Sequence, residues 1–540
     1  MFAGVRHMVA ITEQRASRAA VGERGAITVE LLSSLLSVIP HAGGETGTIP
    51  VRMPFTDEVL GEVPRCSAAT VERAVHRARR AQEEWSEKSF GERGEVFLRY
   101  HDLILERQEE ILDLVQLETG KARKHAFEEI ADVAMCCRYY ALNAERHVGP
   151  QRRRGALPGL TSATEHHPPR GVVGFISPWN YPLTLAVTDA IAALMAGNGV
   201  VLKPDQTTPF TALWAVKLLE EAGLPYDLFQ VVTGSGSELG GPLIDHVDFI
   251  TFTGSTRTGR IVARQAGERL IGCSLELGGK NAMLVLADAD LDKAVEGALR
   301  GSFSNAGQLC ISIERLYVER GIFDRFTARF AARTEELTLG ASLDYDFDLG
   351  SLTSRQQLET VQAHVEDAVA KGAKILAGGR ARPDIGPFFY EPTVLTDVTE
   401  GMTLCAEETF GPVVAAYPFE SVDEAIERAN ATRYGLNASI WTGKSAKGAE
   451  LATRIEAGTV NVNEAYAAAW ASMDAPMGGF KDSGIGRRHG AEGILKYTET
   501  QTVAVQKLVP IAAPEGVEEE RYSRLMSSAL WMLKRIPGLR

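Results

Sequence analysis

The chain has 540 residues, of which 45% are hydrophobic, and 57 basic and 70 acidic side chains give a formal net charge of −13. This length predicts two or three domains, and the acidic balance argues against a nucleic-acid partner. The six cysteines have neither a CxxC pair nor zinc-type spacing, so we expect no disulfide framework and no metal site. No run of about 18 apolar residues occurs and segment 1–25 lacks a signal-peptide pattern, so a cytoplasmic protein without membrane contact is expected.

The first third of the chain has a helical pattern. Apolar residues recur at helical spacing in "AATVERAVHRARRAQEEW" and in "HDLILERQEEILDLVQLETG". We therefore predict helices over residues 70–150 that cover a sheet formed by a later segment.

Residues 171–270 alternate short β-rich runs with helical stretches. The runs "VVGFIS", "VVLK", "FQVV" and "FITFTGS" are separated by helical patterns that include 183–196 and 209–222. This alternation predicts an α/β domain with an open, doubly wound parallel sheet. Thr208 is placed to cap the second helix, with Pro209 in its first turn.

Two glycine-containing stretches follow predicted strands. Gly234, Gly236 and Gly240 have GxGxxxG spacing, which differs from a dinucleotide fingerprint and favours a turn that leads into a helix. Gly254 and Ser255 end a strand just before a predicted helix, where free backbone N–H groups could bind phosphate.

Three residues are candidates for chemistry. Asn180, between prolines in "ISPWNYP", could donate its side-chain N–H to an oxyanion, although a rigid turn explains it equally. Glu276, in "SLELGGKNAML", could deprotonate water if a partly apolar pocket raised its pKa. Cys310, in "FSNAGQLCIS", is either a nucleophile or a buried small apolar residue.

A second α/β pattern extends from Asp288 to "PMGGF" and predicts a separate catalytic domain. The C-terminal tail places apolar residues on one helical face, and we expect packing against the protein body rather than attachment to a membrane surface. These tail residues are Tyr522, Leu525, Met526, Ala529, Leu533 and Ile536.

Seven ordered motifs resemble the aldehyde dehydrogenase superfamily over residues 45–508. They are PWNYP, LKPDQTTP, FTGSTxxG, ELGGKN, GQLC, EETFGPV and PMGGFKDSGIGRR. The resemblance implies a Rossmann-type cofactor domain, an α/β catalytic domain, a small oligomerisation extension, and homodimers or homotetramers that oxidise an aldehyde to a carboxylic acid. The implied boundaries are 1–149 and 170–276 for the cofactor domain, 277–487 for the catalytic domain, 150–169 and 488–510 for the extension, and 511–540 for the tail.

The resemblance also implies roles for individual residues. Cys310 would be the nucleophile, Asn180 and the Cys310 backbone N–H would hold the oxyanion, and Glu276 would activate water to hydrolyse the thioester. Family members that transfer the acyl group to coenzyme A generally lack this glutamate, and noncatalytic relatives lose the cysteine or the glutamate. The implied cofactor contacts are Trp179, Lys203, Gln206, Gly254, Ser255, Glu408 and Phe410.

The cofactor preference follows from one position. Members that prefer NAD often carry Glu where this chain has Gln206, and a neutral side chain does not repel a 2′-phosphate. We therefore expect NADP rather than NAD, with Lys203 available to the phosphate, although Asp205 adds a negative charge nearby.

Other positions depart from the family pattern. Asp189 and Arg488 exchange the charges that many members carry, which predicts either a reversed ion pair closer than about 4 Å or two independent charges. The motifs are most similar to those of actinobacterial NADP-dependent succinate-semialdehyde dehydrogenases. However, Thr188 and Ser304 replace the arginines that hold the substrate carboxylate, so Arg487 or another residue would have to substitute.

The segment "NEAYAAAWASMDAP" offers an alternative substrate class. Tyr466, Trp470 and Met473 predict an apolar entrance tunnel, which would suit an aromatic or medium-chain aldehyde.

Overall fold

A computed structural model describes residues 27–40, 47–156, 161–507 and 512–535. Three short 3₁₀ turns lie at Leu36–Val38, Ser304–Gly307 and Arg320–Ile322. The helices are α1 (Val29–Leu35), α2 (Ala68–Ser86), α3 (Phe90–Glu106), α4 (Gln108–Thr119), α5 (Arg123–Val148), α6 (Pro182–Met195), α7 (Pro209–Glu221), α8 (Gly236–His246), α9 (Thr256–Glu268), α10 (Leu291–Phe303), α11 (Phe323–Glu335), α12 (Arg355–Ala370), α13 (Thr403–Ala406), α14 (Val422–Asn430), α15 (Ser445–Ala452), α16 (Ala467–Trp470), α17 (Gly490–Leu495) and α18 (Glu519–Leu533).

The strands form three main sheets and two small ribbons. They are β1 (Thr48–Arg52), β2 (Val59–Pro64), β3 (Gln151–Arg154), β4 (Thr161–His166), β5 (Val172–Ile176), β6 (Gly199–Lys203), β7 (Phe229–Val231), β8 (Phe249–Thr253), β9 (Gly272–Glu276), β10 (Asn281–Val285), β11 (Ile313–Glu319), β12 (Lys374–Ala377), β13 (Thr393–Thr396), β14 (Val413–Phe419), β15 (Tyr434–Gly435), β16 (Asn437–Trp441), β17 (Thr459–Val462), β18 (Phe480–Lys481), β19 (Gly484–Ile485) and β20 (Gln501–Gln506).

The first sheet has the order β19-β9-β8-β5-β6-β7. All its pairs are parallel except that between β19 and β9. The predicted doubly wound α/β arrangement is thus confirmed, and the strand order reverses between β5 and β8, the place where such sheets bind ligands. Helix α2 packs on β5, β6 and β7, as the helical pattern of residues 70–150 predicted. The glycines after β7 lead into α8, the expected turn into a helix.

The N-termini of α6 and α7 are capped from a distance. Both helices begin with proline, and the prediction that Thr208 caps α7 is wrong because its hydroxyl makes no capping hydrogen bond. The buried carboxylate of Glu118 accepts hydrogen bonds from the N–H groups of Phe210 (2.8 Å) and Thr211 (2.7 Å) instead. A carboxylate is favourable here because it meets unpaired N–H groups and the positive end of the helix dipole.

The second sheet has the order β12-β13-β14-β11-β10-β16-β17 and is parallel except between β12 and β13. It has its own apolar core, separate from the core around the first sheet. The chain passes from the first sheet to the second between Glu276, which ends β9, and Asn281, which begins β10.

The third sheet is antiparallel, has the order β20-β4-β3, and takes its strands from the two segments predicted as an extension. Every residue of β20 is exposed. Within 488–510, however, Ile494 and Tyr497 pack in the core of the first sheet. Residues 157–160 and 508–510 lie outside the described parts of the chain.

The tail forms the predicted helix, α18, but has no buried residue. Leu525, Leu530 and Trp531 are more than half exposed. On the predicted face, Tyr522, Met526, Ala529 and Leu533 are half-buried and Leu525 is exposed, so packing of the tail against the protein body stays a prediction. Ile536 lies outside the described residues. Among the described helices, none is both long enough and apolar enough to cross a membrane.

Candidate active site

The carboxyl ends of the first sheet's strands bring together residues that are distant in sequence. Asn180 follows β5, Lys203 ends β6, Ser255 follows β8 and Glu276 ends β9. The Gly254 N–H donates to the Glu276 carbonyl oxygen (3.0 Å), which links the ends of two of these strands. This edge of a parallel sheet is where ligands bind in open α/β folds.

The loop before Cys310 has an unusual backbone. Asn305 and Ala306 adopt left-handed conformations with φ of 51° and 52°, and Gly307 follows with φ of 71°. Left-handed backbone strains non-glycine residues, so it persists only where surrounding contacts hold it. Gln308 provides such contacts, since its side chain donates to the Asn305 carbonyl (3.1 Å) and accepts from the Thr353 N–H (2.9 Å). The loop thereby fixes the position of Cys310.

Burial changes the acidity of both Cys310 and Glu276. The Cys310 side chain is half-buried beside a pocket, and burial raises the pKa of its thiol to about 12, with the carboxylates of Glu408 and Glu276 acting in the same direction. Burial also raises the pKa of the Glu276 carboxyl to about 8, although the positive charges of Arg488 and Lys496 oppose this. Glu276 Oε1 is buried and has no hydrogen-bond partner among the described residues. Such a carboxyl is poised to exchange a proton near neutral pH.

Asn180 is held through its backbone by a buried ion pair. Lys121 Nζ donates to the Asn180 carbonyl oxygen (2.7 Å) and to Glu129 Oε1 (2.6 Å), and both charged side chains are fully buried. Glu129 Oε2 accepts the N–H groups of Leu183 (2.8 Å) and Thr184 (3.1 Å) at the start of α6. The Asn180 side chain lines the same pocket as Cys310.

The pocket at Cys310 has mostly apolar walls. Tyr466 and Trp470 line it, as the sequence predicted, but Met473 does not. The prediction for Met473 is wrong because its side chain is buried in the core of the first sheet, and Met477 lines the pocket in its place.

One wall of this pocket carries an unexpected carboxylate, Glu128. The hydroxyls of Tyr466 (3.0 Å) and Tyr181 (3.2 Å) donate to it, and burial raises the pKa of the carboxyl. Arg300 lies 3.8 Å from Glu128. The Tyr466 hydroxyl is also 2.9 Å from Ser304 Oγ.

The predicted ion pair between Asp189 and Arg488 is confirmed. Arg488 Nε lies 3.0 Å from Asp189 Oδ2, and each side chain is 7% exposed. The sequence did not indicate a third member, Lys496, whose Nζ donates to Asp189 Oδ1 (3.2 Å). The two cations therefore share one buried carboxylate.

Lys203, one of the predicted cofactor residues, has a buried ammonium group without a bonded partner among the described residues. It is 4% exposed, and burial lowers the pKa of its ammonium. No hydrogen bond or ion pair joins its Nζ to another described residue, and a Cβ on Gly236 would lie 3.8 Å from it. A buried, unpaired cation at a strand end fits an anionic or hydroxyl-rich group of a dinucleotide.

The other predicted cofactor residues surround the same edge. The Ser255 hydroxyl is exposed and accepts from the Thr258 N–H (3.3 Å) at the start of α9. The rings of Trp179 and Phe410 meet edge to face with centroids 5.5 Å apart. Glu408 Oε1 accepts the Gly279 N–H (2.9 Å). The residues present thus fit a nicotinamide dinucleotide.

Gln206 and Asp205 occupy a loop after Lys203. Gln206 is exposed. Asp205 Oδ1 accepts from the Thr207 N–H (3.0 Å) and the Thr207 hydroxyl (2.8 Å), so its carboxylate is bound within its own loop. Among the described residues, no group of three or more metal-ligating side chains is placed to hold an ion.

Comparisons with known proteins agree with this geometry. The aldehyde dehydrogenase family model matches residues 41–503. A protein of Mycolicibacterium smegmatis named "Putative succinate-semialdehyde dehydrogenase (NADP+)" is 51% identical over 489 residues, which cover 91% of this chain and 95% of that protein.

Solved structures give the same result. An aldehyde dehydrogenase from Brucella melitensis biovar abortus is 35% identical with a TM-score of 0.83, covering 88% of this chain and 99% of that one. Betaine aldehyde dehydrogenase from Staphylococcus aureus in complex with NAD+ is 32% identical with a TM-score of 0.81, covering 90% of this chain and 100% of that one. The chain belongs to the aldehyde dehydrogenase family.

Proposed function

We propose that this enzyme oxidises succinate semialdehyde to succinate with NADP+, through a covalent intermediate on Cys310. The observation that carries the reaction class is the convergence of Cys310 and Asn180 on one pocket, with the Glu276 carboxyl close enough to raise the pKa of the thiol. The 51% identical relative supports the choice of substrate and cofactor.

Cys310 forms the bond to the substrate. The thiol gives its proton to solvent, its sulfur attacks the aldehyde carbon, and the carbonyl oxygen becomes the oxyanion of a thiohemiacetal. Asn180 donates its side-chain N–H to that oxygen, a contribution of about 3–4 kcal/mol for a typical oxyanion donor. Burial raises the pKa of the free thiol to about 12, so the reactive thiolate is a minor form near neutral pH before substrate binds.

Glu276 completes the reaction. When bound, a nicotinamide would accept a hydride from the substrate carbon, and Cys310 would then carry the acyl group as a thioester. The Glu276 carboxylate then takes a proton from water, the oxygen of which attacks the thioester carbon. The carbon–sulfur bond breaks, the Cys310 sulfur takes the proton held by Glu276, and the carboxylic acid leaves.

The preference for NADP rests on Lys203 and its loop. The Lys203 ammonium lacks a partner among the described residues, Gln206 is uncharged, and Asp205 is engaged by Thr207. A 2′-phosphate therefore meets one cation and no free carboxylate in this loop. Lys203→Gln should lower kcat/KM for NADP+ about tenfold or more relative to NAD+, and equal losses with both cofactors would contradict the preference.

A second candidate substrate is an uncharged aromatic or medium-chain aldehyde. The aromatic side chains of Tyr181, Tyr466 and Trp470 in the pocket favour it. Steady-state kinetics with succinate semialdehyde, benzaldehyde and hexanal, each with NAD+ and NADP+, tests the choice. We expect the highest kcat/KM for succinate semialdehyde with NADP+; if it is the poorest substrate, the specific assignment is wrong while the reaction class stands.

The proposal also includes the domain boundaries given above and a role in subunit assembly for the extension, residues 150–169 and 488–510. We assign subunit contacts in a homodimer or homotetramer to the exposed sheet of β3, β4 and β20. Sedimentation of the chain with β20 deleted should show a smaller assembly than the intact chain.

A further inference from the structure

The pocket at Cys310 contains one cation. Among the described residues that line it, Arg488 alone has a positively charged side chain. The backbone of Arg488 is fixed by a bridge to Met477, with Arg488 N–H donating to the Met477 carbonyl (2.6 Å) and Met477 N–H donating back (2.9 Å). This bridge holds the backbone from which the Arg488 side chain reaches the pocket wall.

The guanidinium of Arg488 is only partly satisfied by the protein. Its Nη2 donates to Thr188 Oγ1 (2.7 Å), and its Nε lies 3.0 Å from Asp189 Oδ2. Its Nη1 makes no hydrogen bond to a described residue. The Arg488 Nε is buried and, although it lies close to Asp189, forms no well-aligned hydrogen bond. Buried arginine donors usually find acceptors, so a guanidinium that is only partly bonded and lines a ligand pocket can take an acceptor from the ligand.

Charges near Arg488 leave it available to an anion. Asp189 is shared with Lys496, so two cations face one carboxylate. The buried carboxyls of Asp132 and Glu276 also attract Arg488, but burial raises their pKa values to about 7 and about 8, which reduces their negative charge near neutral pH.

We propose that Arg488 binds the distal carboxylate of the substrate and so determines specificity for a short semialdehyde acid. This inference rests on the proposed oxidation of succinate semialdehyde. A guanidinium edge matches a carboxylate in a two-point hydrogen bond, and the Thr188 hydroxyl adjoins the same edge. Arg488 thus takes over the binding of the substrate carboxylate from the arginine that Thr188 replaces.

Arg487, the substitute that the sequence suggested, does not serve this purpose. Its Nη1 donates to the carbonyl oxygens of Gly479 (3.2 Å) and Gly486 (2.7 Å), and its guanidinium lies over the Phe480 ring. It does not line the pocket at Cys310. The two neighbouring arginines therefore form a matched pair for a test.

The test compares Arg488→Gln and Arg487→Gln with two aldehydes of the same shape. Succinate semialdehyde and 4-methylpentanal differ in that a carboxylate replaces an isopropyl group. Arg488→Gln should lower kcat/KM for succinate semialdehyde about 10- to 100-fold more than for 4-methylpentanal, mainly through KM. Arg487→Gln should leave the ratio between the two aldehydes unchanged.

Other outcomes overturn the proposal. Equal losses of kcat/KM for both aldehydes would mean that Arg488 stabilises the fold or positions Glu276 and does not bind the substrate carboxylate. The proposed substrate would still stand if the wild-type enzyme prefers succinate semialdehyde. No preference in the wild-type enzyme would overturn the substrate and the inference together. If Arg488→Gln does not fold, Arg488→Lys keeps a cation beside Asp189 but loses the two-point geometry, and the same selective loss, about tenfold, is expected.

Discussion

Two buried ion pairs border the pocket at Cys310, and the protein satisfies them to different degrees. In the Lys121–Glu129 pair, the ammonium bonds Glu129 and the Asn180 carbonyl and faces the Tyr181 ring at 3.9 Å. Glu129 is bonded further to the start of α6. In the Asp189–Arg488 pair, by contrast, the buried Arg488 Nε lies near Asp189 without a well-aligned hydrogen bond among the described residues, and the Arg488 side chain lines the pocket.

This difference indicates that one ion pair supports the structure and the other takes part in ligand binding. A buried pair costs desolvation energy, which is recovered only when all its polar atoms find partners. The Lys121 pair meets that condition within the protein and positions Asn180. In the Arg488 pair, the buried donors are all bonded only when a ligand supplies an acceptor. We therefore interpret the missing hydrogen bond as a sign of ligand binding.

The largest effect is expected from a substitution at Cys310, which leaves both ion pairs intact. Cys310→Ala should reduce NADPH formation by at least about 10⁴-fold, because the covalent bond to the substrate cannot form. Absorbance at the nicotinamide band measures it, with Cys405→Ala as the control for a cysteine away from the pocket. Residual activity within tenfold of wild type would remove Cys310 from the mechanism.

The next effect contrasts the two pairs directly. Lys121→Met should lower the free energy of unfolding by about 3–5 kcal/mol, because it leaves the Glu129 carboxylate buried without its cation. Lys496→Met should cost only about 1 kcal/mol, since Asp189 keeps Arg488 as its partner. Urea unfolding of both variants tests this, and equal losses would show that the pairs do not differ as described.

Asn180 links the scaffold pair to catalysis. Asn180→Ala should lower kcat about 10²- to 10³-fold, because one oxyanion donor is lost. KM should change little, and Asn143→Ala, on the outer part of α5, should retain normal kinetics. An unchanged kcat would mean that the Lys121 contact positions something other than an oxyanion donor.

The smallest effect is the pH dependence of kcat. Glu276 acts as a base in its ionised form, and burial raises its pKa to about 8. Below that pH the ionised fraction falls about tenfold per unit, so kcat should rise from pH 6 to 8 and level off above. A flat profile over this range in wild type would contradict the role of Glu276 in the slow step.

The sequence predicted the residues that carry the chemistry better than those that hold them. Cys310, Glu276 and Asn180 lie in compact motifs, and the exchanged charges of Asp189 and Arg488 were readable position by position. Glu118 and Glu129 were missed because their partners, the N-termini of α7 and α6, are dozens of residues away. For α6 a usable signal was present, since the helix begins with proline and the preceding residue, Tyr181, is not a capping type. For α7, Thr208 concealed the signal.

Other differences arise from tertiary packing. Met473 has the spacing of a tunnel residue, yet the fold turns it into the core of the first sheet. Arg487 and Arg488 are adjacent and chemically identical, so only the alternation of side chains along the backbone decides which faces the pocket. Sequence pattern alone carries no information on that choice.

The central claim is that Cys310 carries the acyl group and Glu276 releases it. Mass spectrometry of Glu276→Gln after incubation with succinate semialdehyde and NADP+ tests it most directly. The account predicts one succinyl group per chain, on the peptide that contains Cys310, and one equivalent of NADPH. An unmodified Cys310, or a succinyl group on another residue, would contradict it.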